Sequence, residues 1–283
     1  MHRKVRNYSL LSGFDYYTPG WGGMAGIAGL LVVGTLIGGL VLILLKKLMP
    51  AEAADTYGLL VTYPLMFIPA MIFASVKSRG NAAYVERNPL NDSRYGRIGF
   101  WPLALLVAAA TLAAAYLSDA ITEFLPPMPY SLRQVFQDMT GGPLWVALLS
   151  VSVMAPFFEE WLCRGEIMRG LLGKVKPAWA IVLSALFFAI IHMNPWQAIP
   201  AFLLGCLFGY VYYKTGSLLL TMVMHCANNT FSVICTRIDK LGEADTWLDV
   251  LTPSQYIAGA VLAAIVVALT VYVFQKYTGV RNR

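Results

Sequence analysis

The chain reads as a series of apolar runs divided by short polar connections. A helix crosses a bilayer in about 20 mainly apolar residues, and eight runs meet or approach that length. They cover roughly 24–46, 57–76, 99–118, 143–164, 178–193, 197–213, 217–236 and 256–275. The fifth and sixth are short, with Pro195 and Pro200 at their junction. The most polar connection runs from Asn81 to Arg97. No internal repeat and no segment able to bury a soluble core stands out. The pattern predicts an all-α polytopic membrane bundle of about eight transmembrane helices. It divides into N-terminal spans over 1–149, core helices over 150–236, and a C-terminal loop and last span over 237–283.

Composition supports that reading: 58% of the 283 residues are hydrophobic and 13% are charged, whereas soluble domains average about 25% charged residues. The net charge of +6 does not point to nucleic acid, because Lys and Arg sit in the short segments between apolar runs. With the N-terminus inside, 16 of the 21 Lys and Arg fall on inner segments and 5 on outer ones. The positive-inside bias therefore predicts eight spans with both termini cytoplasmic. Cys163, Cys206, Cys226 and Cys235 lie in apolar segments without a C-x-x-C pair, so they read as small buried hydrophobes. The first run, Met24 to Leu45, exceeds the usual signal-peptide core and is expected to be a permanent span.

An ionisable residue in a span is costly and is by default a functional candidate. The exceptions to otherwise clean spans gather between 159 and 229. Glu160 and Arg164, four apart, share a helical face and are expected to pair. Glu159 is turned about 100° away, so two adjacent carboxylates acquire different environments. A charge cluster capping the inner end of the fourth span is the competing reading. His192 closes an uncharged run, and His225 shares a face with Asn229.

This set fits hydrolysis. Glu159 and His192 could activate a water by general-base action, with His225 and Asn229 donating to a developing oxyanion. Alternatively Glu159, His192 and His225 could be ligands of a catalytic Zn2+ with one open position. Asn229 fits the oxyanion role better than ligation. Ser152, Ser184 and Ser217 lie in no G-x-S-x-G elbow. The non-enzymatic rival is a transporter or immunity-type binding protein whose buried carboxylates and histidines relay protons or hold a ligand. The expected partners are membrane lipids and a peptide or lipidated protein substrate, and no nucleic acid.

At these residues the sequence resembles the CAAX-protease and bacteriocin-processing family, also called the abortive-infection family. Its marks are E-E-x-x-x-R, F-x-x-x-H and H-x-x-x-N on successive helices. Glu159-Glu160 with Arg164, Phe188 with His192, and His225 with Asn229 correspond to them. The resemblance covers about residues 150–232. It implies an intramembrane endopeptidase with Glu159 as the water-activating carboxylate, His192 beside it, and His225 with Asn229 across the scissile carbonyl. Cys163 stands where an aromatic residue is more usual.

Depth adds a geometric expectation. At 1.5 Å per residue His192 lies roughly 20 Å along the fifth run, too deep to meet Glu159 if the fourth helix ended at Arg164. Continuous helix is therefore expected from about 157 to 172, with a bend near Pro156 and a freed carbonyl near Ser152. Arg164, Glu166 and Arg169 would then border a wet cavity, and Glu159, His192 and His225 would converge.

Overall fold

The structure, a computed structural model, describes residues 11–278, all helix and connection among them. The terminal charges Arg3, Lys4, Arg6, Arg281 and Arg283 counted above lie outside the described residues. The chain forms α1 (Trp21–Leu48), α2 (Ala51–Asn81), α3 (Phe100–Thr122), α4 (Tyr130–Gly141), α5 (Leu144–Leu172), α6 (Pro177–Ile190), α7 (Pro195–Thr215), α8 (Leu218–Cys235), α9 (Asp239–Glu243) and α10 (Pro253–Tyr277).

Six of these, α1, α2, α3, α5, α8 and α10, are long and apolar enough to cross a membrane. With α6 and α7 they make up the eight-membered bundle read from the sequence. The fifth run is shorter than expected. Its 14 residues extend roughly 21 Å, less than the ~30 Å hydrocarbon thickness. The run ends in a turn at 191–194, where Met193 takes the left-handed φ of 59°. Asn194 then caps α7 by accepting from Gln197 N, with Pro195 in the first turn.

The segments 11–20, 82–99 and 216–217 meet at one end of the bundle. Asn88 N donates to Asp15 O and Asp92 N to Gly216 O. Gly216, at φ 66°, ends α7 in the left-handed conformation, and a side chain there would strike Asp92 and Arg94. At the same end, a side chain on Gly96 would collide with Tyr277 O of α10. Residues 11–20 and the end of α10 therefore lie at the same end of the bundle.

Helix α5 is the axis of the fold: 61% of its most apolar window is buried, against 17–33% for the other five long helices. Helix α6 packs on α7, where Gly205 and Gly209 form a G-x-x-x-G face. A Cβ on Gly205 would lie 3.1 Å from Ala185 Cα, tight enough to push the helices apart by a few tenths of an ångström, so glycine favours this close approach. One element was not anticipated. In the connection between the third and fourth runs, α4 places Leu132, Val135, Phe136 and Met139 on one face at helical spacing. That periodicity, between Pro129 and Gly142, was the available signal.

Candidate active site

Helix runs unbroken from Leu144 to Leu172, so the expectation of helix over 157–172 holds. Two stretches are wide π turns, Leu148–Met154 and Trp161–Met168, and they flank the acidic pair at Glu159-Glu160. Such turns are rare and concentrate at functional sites. Pro156 explains the first of them. Ala155 N donates to Ser150 O, five residues back. In that register the next carbonyl, Val151 O, would take its bond from residue 156, and proline has no N–H to give. Asn229 Nδ2 supplies it from α8, at 2.8 Å from Val151 O. The freed carbonyl expected near Ser152 is thus Val151's, because the wide turn shifts the register by one residue. The expected disturbance at Pro156 takes the form of this widened turn.

The acidic pair separates as its spacing predicts. Glu160 and Arg164 have wholly buried side chains and pair at 2.8 Å. Arg164 also donates to Gly205 O at 3.0 Å, and its guanidinium packs over the Phe188 ring at 4.6 Å and the Phe208 ring at 5.2 Å. Buried charge is tolerated here because donors, acceptors and aromatic faces enclose it.

His225 joins the two carboxylates. Its Nδ1 lies 3.0 Å from Glu160 Oε1, and its Nε2 lies 3.9 Å from Glu159 Oε2. Glu160, already holding Arg164, acts as acceptor and orients the imidazole as outer carboxylates orient working histidines. Glu159 Oε1 accepts a hydrogen bond from the Tyr63 hydroxyl. Glu159 Oε2 has no hydrogen-bond partner among the described residues and faces His225.

His192 lies at the same cavity but is held differently. Its Nδ1 is 2.7 Å from Phe188 O. A carbonyl only accepts, so Nδ1 carries the proton and Nε2 of the neutral ring keeps its lone pair. Phe188 meets both imidazoles edge-on, at 4.9 Å for His192 and 5.4 Å for His225. No hydrogen bond joins His192 to Glu159 or His225 among the described residues. Asn229 has spent one amide N–H on Val151 O, and its Oδ1 accepts from Asn228 at 3.1 Å. One N–H remains for other work.

A cavity of about 1460 Å³ is lined by Tyr63, Glu159, His192, His225 and Asn229, and it extends to α4 and to the 241–249 segment. The expectation that Arg164, Glu166 and Arg169 would border it is corrected: all three are fully buried and none lines it. The second π turn and α7 enclose Arg164 beneath the floor. Arg169 is drawn to the carbonyls of Phe14, Tyr17 and Asn88 at the 82–99 end. Burial, with the Glu166 charge nearby, pushes the Tyr17 hydroxyl above the usual phenol range.

No group of three His, Cys, Asp or Glu side chains among the described residues is arranged to hold a metal ion. Glu159, His192 and His225, the zinc set weighed above, are not gathered into such a group in this arrangement. Tyr63 was missed from sequence, since a tyrosine in an apolar helix carries no signal until α2 is packed beside α5.

Among known proteins, a family model described as Type II CAAX prenyl endopeptidase Rce1-like matches residues 141–231. The matched stretch holds Glu159, Glu160, Arg164, His192, His225 and Asn229, while Tyr63 lies outside it. No curated protein and no solved structure matches the chain.

Proposed function

We propose that this integral membrane protein is an intramembrane endopeptidase that hydrolyses a peptide bond of a membrane-associated or lipidated peptide with water activated by Glu159. One observation carries the reading. The unengaged Glu159 Oε2 faces His225 Nε2 at 3.9 Å on the wall of a cavity of about 1460 Å³. That volume exceeds the range of about 300–1,000 Å³ usual for small-molecule pockets, so a peptide fits where a proton relay would need far less.

In this reading Glu159 Oε2 takes a proton from water as the oxygen attacks the scissile carbonyl. His192 Nε2 is a second acceptor for that water. His225, aligned by Glu160, donates from Nε2 to the developing oxyanion when its ring is protonated, and the second N–H of Asn229 adds to that stabilisation. The protonated Glu159 then returns a proton to the leaving amine. Hydrolysis of a lipid-anchored peptide also suits a site whose cavity walls are largely apolar side chains of α1, α2, α4 and α6.

The test is cleavage of a co-expressed library of membrane-anchored and lipidated peptides by wild type, Glu159→Gln and His225→Ala. A product formed by wild type and lost in both variants, with all three proteins folded and inserted, is the expected result. Near wild-type cleavage by Glu159→Gln overturns the assignment.

A further inference from the structure

The best-defined contact to Glu159 comes from a helix outside the family match. Tyr63 stands on α2, and its ring is fixed by aromatic packing. It lies 5.4 Å from Phe67. Phe67 in turn stacks on Phe158 at 5.2 Å and 20°. Phe158 precedes Glu159 in the chain, so one aromatic brace ties α2 to the helical turn bearing the acidic pair. From this brace the Tyr63 hydroxyl donates to Glu159 Oε1.

The last torsion of a glutamate is broad and nearly two-fold, so an unheld carboxylate presents either oxygen over a wide arc. A general base works in proportion to how well its lone pair meets the proton it removes, and small misplacements are costly. Oε1 is spent on Tyr63. Oε2 has no hydrogen bond and faces His225. The hydroxyl therefore decides which oxygen is left to face His225, and at what angle. Glu160 is held in an analogous way, with Oε1 on Arg164 and His225, but it does not line the cavity.

We propose that Tyr63 is a positioning residue that pins Oε1 of Glu159, so that Oε2 alone meets the reacting water. This rests on the hydrolytic reading above. It makes the α1–α2 hairpin part of the working site.

The test uses the purified full-length chain, a peptide cleaved in the library experiment, and infrared difference spectroscopy. Subtracting the Glu159→Gln spectrum from wild type isolates the Glu159 carboxylate bands. Tyr63→Phe keeps the ring and its brace and removes only the hydroxyl. The expected result is a loss in kcat of about tenfold with KM changed by less than about twofold, as for an interaction made chiefly in the transition state. The carboxylate bands should shift as well. A structural role would lower the unfolding temperature and leave both the bands and kcat per folded molecule in place. Should Tyr63→Phe fold poorly, a fluorotyrosine inserted at position 63 keeps the shape and strengthens the donor, and the bands should then move the opposite way. Tyr63→Phe with kcat within about twofold of wild type, or bands unmoved by either substitution, overturns the proposal. If wild type cleaves no peptide, the hydrolytic reading fails by itself, and the bands still decide whether Tyr63 holds Glu159.

Discussion

Helix α5 carries two groups of buried charge about two turns apart, and they do different things. The first is Glu159, Glu160 and Arg164. The second is Glu166 with Arg169, 3.6 Å apart and wholly buried. Arg169 donates to Phe14 O at 3.2 Å and Asn88 O at 2.5 Å, and beside it Asp15 pairs with Arg87 at 2.8 Å. This second group clamps the 11–20 and 82–91 segments to the end of α5. The cost of burying charge marks both groups equally. What separates them is access: Glu159 borders the cavity, and neither Glu166 nor Arg169 does. A buried charge is a functional candidate only where a substrate can reach it.

The sharpest way to break this comparison is to neutralise one carboxylate in each group. Glu159→Gln is expected to lower turnover on the order of 10²–10⁴-fold, the usual worth of a general base. Glu166→Gln is expected to keep turnover per folded molecule within the same order of magnitude, with its losses confined to stability. Equal losses of turnover in the two variants would erase the distinction.

Arginine substitutions probe the clamps. Arg164→Ala leaves Glu160 buried without its guanidinium and should cost about 3–5 kcal/mol of stability. Glu159→Gln should cost far less. Thermal unfolding in one detergent compares them directly, and equal midpoints would count against the Glu160–Arg164 pair as a structural anchor.

A smaller effect is expected at the seam between α5 and α8. Asn229→Ala strands the Val151 carbonyl and should destabilise the protein by about 1–3 kcal/mol, besides lowering turnover. The double variant Pro156→Ala/Asn229→Ala restores a main-chain N–H at 156. It should recover stability without recovering activity. Stability that stays low in the double variant would mean that Asn229 matters for some reason other than that carbonyl.

The smallest expected effect is none. If Glu159 activates the water unaided, as proposed, 1,10-phenanthroline should leave the cleavage rate of purified protein unchanged. Inhibition reversed by added zinc, with stoichiometric metal lost in His192→Ala, would bring the metal reading back.

Periodicity and hydropathy determined much of this protein unaided. Long apolar runs allow one backbone solution in lipid, the helix, so class and approximate spans followed directly. The i,i+4 spacing of Glu160 and Arg164 made their pairing legible, since helical neighbours are set by local geometry alone. The depth of His192 required α5 to continue past Arg164, and it does. Tertiary structure decided the rest. The α5 register at Pro156 depended on a donor arriving from α8, which turned Asn229 from a wholly free amide into one half-committed to Val151. The seat of Arg164, Glu166 and Arg169 away from the cavity depended on where α7 and the 11–20 and 82–99 segments pack. The hydroxyl on Glu159 came from Tyr63, 96 residues away in sequence. Local spacing carries information about one helix, whereas these contacts join helices whose relative rotation and depth are fixed only when their side chains meet.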